Sequence, residues 1–364
     1  MRCRIPLVLL VLLPVLVQAQ SGADWKKITP DYPFQFPRDH GAHLEYRTEW
    51  WYFTGNVRSE SGREFGYQHT IFRQGIDPEP LTAGQSVMRP RHVFFAHFAI
   101  ADIQNQRFSH AERIRRMGAG LVEASQENMH IWLEEWEIRQ EADGSIHLYA
   151  FDREQGMEIE FILKPLKPHV LQGINGFSKK GYDEGNASSY VSYTRLHTQG
   201  KLALRGERFR VEGVSWSDHE WGTSQLGEGV VGWDWFSLIL EGNRELMIYQ
   251  LRDRDGKPTE HSSGTIIQPD GSTIHLRADD FSIRSLDTWS SPGTGAVYPS
   301  AWRIIIPAER IELNIRAKIS DAEMDVRKTI NTAYWEGPVE VSGSAIGRGY
   351  VELTGYADSL DRRF

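Results

Sequence analysis

The segment Trp216-Ser217-Asp218-His219-Glu220-Trp221-Gly222 sets three titratable groups in a row between two tryptophans. A histidine flanked by carboxylates is held protonated or locked in one tautomer. Neighbouring indoles lower the local dielectric constant and enlarge any pKa displacement. Asp218, His219 and Glu220 are therefore candidate catalytic residues, with Asp218 or His219 giving a proton to a substrate in an apolar pocket. The same side chains can instead cap a turn and bind backbone amides, and the residue types leave both readings open. On an extended strand Asp218 and Glu220 share one face, and His219 points the other way with Ser217 and Trp221.

A second stretch, Glu49-Trp50-Trp51-Tyr52-Phe53-Thr54-Gly55-Asn56, carries four consecutive aromatics. Each buries roughly 150–250 Å² and needs an apolar cover. Strand alternation puts Trp50 and Tyr52 on one face and Trp51 and Phe53 on the other. Such a strand suits a barrel wall that packs on both sides, or a strand buried between two layers.

Other chemistries lack their patterns. No HExxH, no CxxC and no carboxylate cluster with metal spacing occurs, so neither metal nor other cofactor is expected. His92 and His97 are five residues apart and fall on opposite faces of a strand. Ser192 and Ser215 have no Gly-x-Ser-x-Gly context, and Gly347-Arg348-Gly349 is too short for a phosphate cradle.

The elements that position these residues read as β-strands. Short runs such as Glu64–Arg73, Val93–Asp102, Trp233–Leu240, Glu245–Arg252 and Gly349–Gly355 are punctuated by Asp143-Gly144, Asp255-Gly256 and Pro269-Asp270-Gly271. Many strands at 8–12-residue spacing mean an antiparallel sandwich or barrel. Ala111–Arg116 fits a short helix or an edge segment. Residues 166–189 lack periodicity and read as a functional or mobile loop. Two all-β halves meet near residue 220. They echo each other: Glu49–Phe53 answers Gly232-Trp233-Asp234-Trp235-Phe236, and Tyr67-Gln68 answers Tyr249-Gln250.

Before the first half, Met1-Arg2-Cys3-Arg4 is basic, Pro6–Val17 is apolar, and Val17-Gln18-Ala19 fits a small-x-small cleavage rule. We expect residues 1–19 to be a signal peptide and the protein to be periplasmic or secreted. The only cysteine, Cys3, precedes the apolar run, so no lipoprotein anchor or disulfide is expected. No later segment reaches transmembrane length. The formal net charge is −8, and an acidic balance argues against nucleic acid as a partner.

The Glu49–Asn56 motif, the run His97-Phe98-Ala99-Ile100-Ala101-Asp102, Trp216–Gly222 and Tyr334-Trp335-Glu336-Gly337-Pro338-Val339 resemble the AttH/CrtC-like family, lipocalin-like proteins related to carotenoid 1,2-hydratase. The resemblance spans nearly all of the chain after the leader. It implies an all-β fold of two consecutive lipocalin-like antiparallel barrels, over residues 20–220 and 221–364, with a pocket near their interface. It further implies an apolar small-molecule partner of isoprenoid, polyene or lipid type. Hydration of an isoprenoid alkene needs an acid and aromatics that stabilise a tertiary cation. His219 and Trp221 match the His-x-Trp part of such a site, whereas Leu251 stands two residues after Tyr249, where an acid is sought.

The expected ligand-binding set is Trp50, Trp51, Tyr52, Gln68, Trp221, Trp233, Trp235 and Tyr249. A hydratase or isomerase, a non-catalytic carrier of an apolar ligand and a secreted hydrolase all remain compatible with these residues.

Overall fold

The computed structural model describes residues 24–79, 91–118, 120–224 and 226–360. The leader-like segment 1–19, with Cys3, lies outside the described residues.

The described chain is built on two antiparallel sheets. The first holds thirteen strands, from Thr48–Ser59 to Glu207–Gly222; the second holds ten, from Val230–Leu240 to Gly347–Leu353. Both follow one plan. The opening strand of each sheet pairs on one side with the next strand in sequence and on the other with the last strand of the same sheet. The sequence echo maps onto this plan. Trp50–Phe53 and Trp233–Phe236 lie on the two opening strands, and the Tyr-Gln pairs lie on their hairpin partners Glu64–Gly75 and Arg244–Asp253.

Each sheet curls round its own apolar core. Trp51, Phe53, Tyr67, Phe98, Trp136 and Phe161 fill the first, and Phe236, Trp302, Ile304, Trp335 and Val351 the second. Burying one tryptophan such as Trp51 contributes roughly 4–6 kcal/mol of transfer free energy at about 25 cal/mol per Å². Gly55 sits beneath the Tyr67 ring, where an added Cβ would lie 2.4 Å from a ring carbon. That close approach lets the Tyr67 hydroxyl reach Ser215 Oγ at 2.6 Å.

The sheets pack on each other through the outer faces of their opening strands. Tyr52 Oη donates to Glu336 at 2.5 Å, Asn56 Nδ2 to the Gly349 carbonyl at 3.2 Å, and Lys167 Nζ to Glu245 at 2.7 Å. The Tyr334 hydroxyl lies 2.8 Å from His97 Nδ1. A Cβ at Gly66 would meet the Tyr350 hydroxyl at 2.6 Å, so the absence of a side chain there sets how closely the sheets approach.

One segment takes one of the two forms the sequence allows, and another differs from the sequence expectation. Residues 107–116 form a strand on the edge of the first sheet, the edge alternative for Ala111–Arg116. Residues 166–189 carry two short strands, Val170–Leu171 and Phe177–Lys179, hydrogen-bonded to Ala187–Leu204, so this stretch is pinned to the sheet.

Candidate functional site

A pocket opens between the two sheets. Its walls are Trp50 and Tyr52 from the first opening strand, Trp233 and Trp235 from the second, Tyr190 and Tyr249 from neighbouring strands, and Phe72, Phe95 and Tyr334 on one flank. The cavity measures about 110 Å³. For scale, an apolar cavity of roughly 150 Å³ accommodates benzene.

Four ionisable side chains line this aromatic surface: Asp218, Glu220, Glu352 and Lys180. Asp218 accepts hydrogen bonds from Tyr190 Oη at 2.7 Å, Ser192 Oγ at 2.5 Å and Trp216 Nε1 at 2.7 Å. Burial nevertheless pushes its pKa up to about 6, because the three donors offset only part of the desolvation. Glu352 receives one indole bond, from Trp233 Nε1 at 2.9 Å, and burial with the neighbouring Asp218 charge raises it to about 7.

Lys180 pairs with Glu220, which also accepts from Ser188 Oγ at 2.5 Å. The Lys180 ammonium lies 5.7 Å from the centroids of Trp50 and Tyr190 and 5.9 Å from that of Tyr249. Burial lowers its pKa to about 7, against the pull of Asp218 and Glu352. Behind the pocket, burial and the nearby Glu352 hold Glu336 well above the ordinary carboxylate range. It accepts the hydrogen bond of the Tyr52 hydroxyl.

Seven of the expected residues meet here: Asp218, Glu220, Trp50, Tyr52, Trp233, Trp235 and Tyr249. Four do not, and for three of them the strand period is the reason. Trp51 alternates with Trp50 and Tyr52 and points into the first core, where it donates to the His40 carbonyl at 3.0 Å. His219 alternates with Asp218 and Glu220, so the expectation that it faces the ligand is corrected. Its ring stacks on Trp51 with centroids 4.9 Å apart, and burial lowers its pKa. Trp221 lies under the N-terminal segment and stacks on His43 at 3.8 Å. Gln68 is buried between strands and donates to Thr70 at 2.6 Å.

Sequence reasoning did not single out Lys180, Tyr190 or Glu352. Lys180 belongs to the 166–189 stretch read as a functional or mobile loop, but nothing local distinguishes it from Lys179. Glu352 interrupts the apolar run Tyr350-Val351-Glu352-Leu353. A lone acid in a buried strand was the available signal, because charged groups are rarely buried without a role or a partner.

His219 instead joins a second polar cluster at one end of the first sheet. His43, Glu49 and His219 are all buried, and one ligand-capable atom from each lies within 4.8 Å of the others. These residues could hold a metal ion. Burial opposes the charge on Glu49, but Arg73, His219 and His43 outweigh it and hold the carboxyl well below its ordinary range.

The two curled sheets, packed with an aromatic pocket at their junction, define a two-module lipocalin-like protein. The chain matches the AttH-like family over residues 27–356 and belongs to it. An AttH protein of Nitrosomonas europaea is 33% identical, superposes with a TM-score of 0.83, and the match covers 91% of this chain and 99% of that one. Kievitone hydratase from Nectria haematococca shares the fold at 13% identity, TM-score 0.69, with 91% and 96% of the chains covered. CghA in complex with Sch210972 shares it at 12% identity, TM-score 0.51, with 84% and 88% covered. Comparison with curated proteins returns no match.

Proposed function

We propose that this protein binds an apolar, unsaturated small molecule in the pocket between its sheets and performs acid–base chemistry on it, of the hydration, dehydration or double-bond isomerisation type. One observation carries the reading. Two carboxyl groups, Asp218 and Glu352, stand in an aromatic pocket with pKa values of about 6 and about 7. A carboxylic acid near neutrality is both donor and acceptor, the property general acid–base catalysis selects.

Glu352 suits the acid, since a single indole bond favours its charged form against burial. Asp218, bonded by three donors, suits the base that orients or deprotonates water. The rings of Trp50, Tyr249 and Tyr190 already surround one cation, the Lys180 ammonium, at 5.7–5.9 Å. The same negative ring faces stabilise cationic charge developing on a substrate carbon. The kievitone hydratase and CghA folds are compatible with this reading.

A second reading is a carrier. The closed Lys180–Glu220 pair and the three donors that hold Asp218 in place favour a pocket that holds its ligand without reacting. A serine hydrolase has less support, because Ser188 and Ser192 donate to Glu220 and Asp218 rather than to a histidine. The basic, apolar, small-residue pattern of residues 1–19 supports an exported protein.

The test is to purify the protein from its native host, identify co-purifying apolar molecules by mass spectrometry, and incubate each with protein in H₂¹⁸O. An ¹⁸O-labelled alcohol, or deuterium exchange at an alkene in D₂O, supports the enzyme. Stoichiometric ligand recovered unlabelled supports the carrier. No apolar ligand, together with no affinity for polyene probes, contradicts both.

A further inference from the structure

The cluster at the end of the first sheet has a hydrogen-bonding imbalance. His43 Nδ1 lies 2.8 Å from Glu49 Oε1, and its Nε2 lies 3.2 Å from Asp39 Oδ1. His219 Nε2 lies 2.9 Å from the same Glu49 Oε1, and its Nδ1 lies 3.1 Å from the Asp39 backbone carbonyl. All four partners are acceptors. A neutral imidazole has one N–H, so two rings supply two donors for four contacts. If the outer nitrogens donate to Asp39, then His43 Nδ1 and His219 Nε2 aim lone pairs at a carboxylate oxygen.

In that tautomer a positive centre belongs where the three electron pairs converge. Two extra protons would create two imidazolium ions with ring centroids 5.6 Å apart, fully buried and beside Arg73. One divalent ion satisfies the same three atoms at once. The surroundings favour the ion. Metal-bound histidines characteristically donate their outer N–H to a carboxylate or a backbone carbonyl, which is what Asp39 offers to the two rings. Glu49 Oε2 is held by Arg73 Nε at 2.9 Å and by the His43 amide at 3.0 Å, which leaves Oε1 directed at the histidines.

We propose that His43, Glu49 and His219 bind a divalent cation of the zinc type, with Asp39 orienting both rings. Two histidines and a carboxylate form a zinc ligand set. Bonds of about 2.0–2.1 Å set ligand atoms roughly 3.3 Å apart, so Glu49 Oε1 withdraws by about half an ångström on binding. The ion would join three segments: the arm ending at His43, the opening strand at Glu49 and the closing strand at His219. Its role is structural, since the ligands face away from the pocket, and the inference stands independently of the proposed activity.

The test uses tag-free, full-length protein expressed in zinc-supplemented medium. Elemental analysis should find about one zinc per chain, and anomalous diffraction at the zinc edge should place it between Glu49 Oε1, His43 Nδ1 and His219 Nε2. Protein refolded with Co²⁺ should show the visible bands of low-symmetry cobalt, and EDTA should lower the melting temperature. Glu49→Gln should lose the ion. Wild-type protein without metal after both treatments, or an anomalous peak elsewhere, overturns the proposal whether or not the variant folds.

Discussion

One strand, Glu207–Gly222, separates two polar sites made from alternate residues. On its outer face Asp218 and Glu220 look into the pocket between the sheets. On its inner face His219 meets Glu49, whose carboxylate is also held by His43 and Arg73. Both sites are buried, yet their carboxylates move in opposite directions: Glu49 lies well below its ordinary range, and Asp218 is raised to about 6. Depth is common to both, so depth does not decide. Glu49 has a guanidinium and two imidazoles as neighbours, whereas Asp218 has neutral donors and one lysine already committed to Glu220. A buried acid matched by cations is a structural joint; one left with neutral donors keeps its proton near pH 6 and can exchange it.

Breaking the inner site should have the largest effect on stability. Arg73→Met removes a buried guanidinium and leaves Glu49 facing the histidines, which costs about 3–5 kcal/mol in denaturant unfolding. Affinity for a polyene probe in the folded fraction should stay unchanged. At the outer site the order reverses. Glu352→Gln should lower turnover of the identified substrate about 100-fold or more with little change in ligand Kd. Trp50→Ala should weaken a polyene probe about tenfold in fluorescence titration, the size of one lost aromatic contact.

The last comparison works through pH. The folded-state pKa of Glu352 is raised to about 7, so folding favours its neutral form. That stabilisation is present at low pH and fades as pH rises through about 7. Glu352→Gln has no charge to bury. It should therefore gain stability relative to wild type as pH rises from about 4.5 to about 7. A constant difference across that window would contradict the assigned shift.

How far the sequence reaches follows from the same strand. Period-two alternation correctly separates Asp218 and Glu220 from His219, and Trp50 and Tyr52 from Trp51. It cannot say which face looks into a cavity, because both faces of this strand are covered, one by the first core and one by the second sheet. Residue type and the His-x-Trp match to the family point His219 at the pocket, and neither carries information about which face is lined. Glu352 comes from the far end of the chain, and the register Trp235↔Glu352 brings it into the site. The cluster of His43, Glu49 and His219 joins residues 6 and 170 positions apart, too irregular for any spacing motif. The two-sheet plan was more legible, because the repeated Trp-rich strand and Tyr-Gln partner are local features.

The most direct measurement is diffraction from crystals soaked with cis-parinaric acid, a conjugated polyene. Density for one end of the polyene between Trp50, Trp235 and Tyr249, in contact with Asp218 or Glu352 and with the rest of the chain leaving through the pocket mouth, is the predicted result. A polyene lodged in the first core beside His219, with the pocket between the sheets unchanged, would contradict the account.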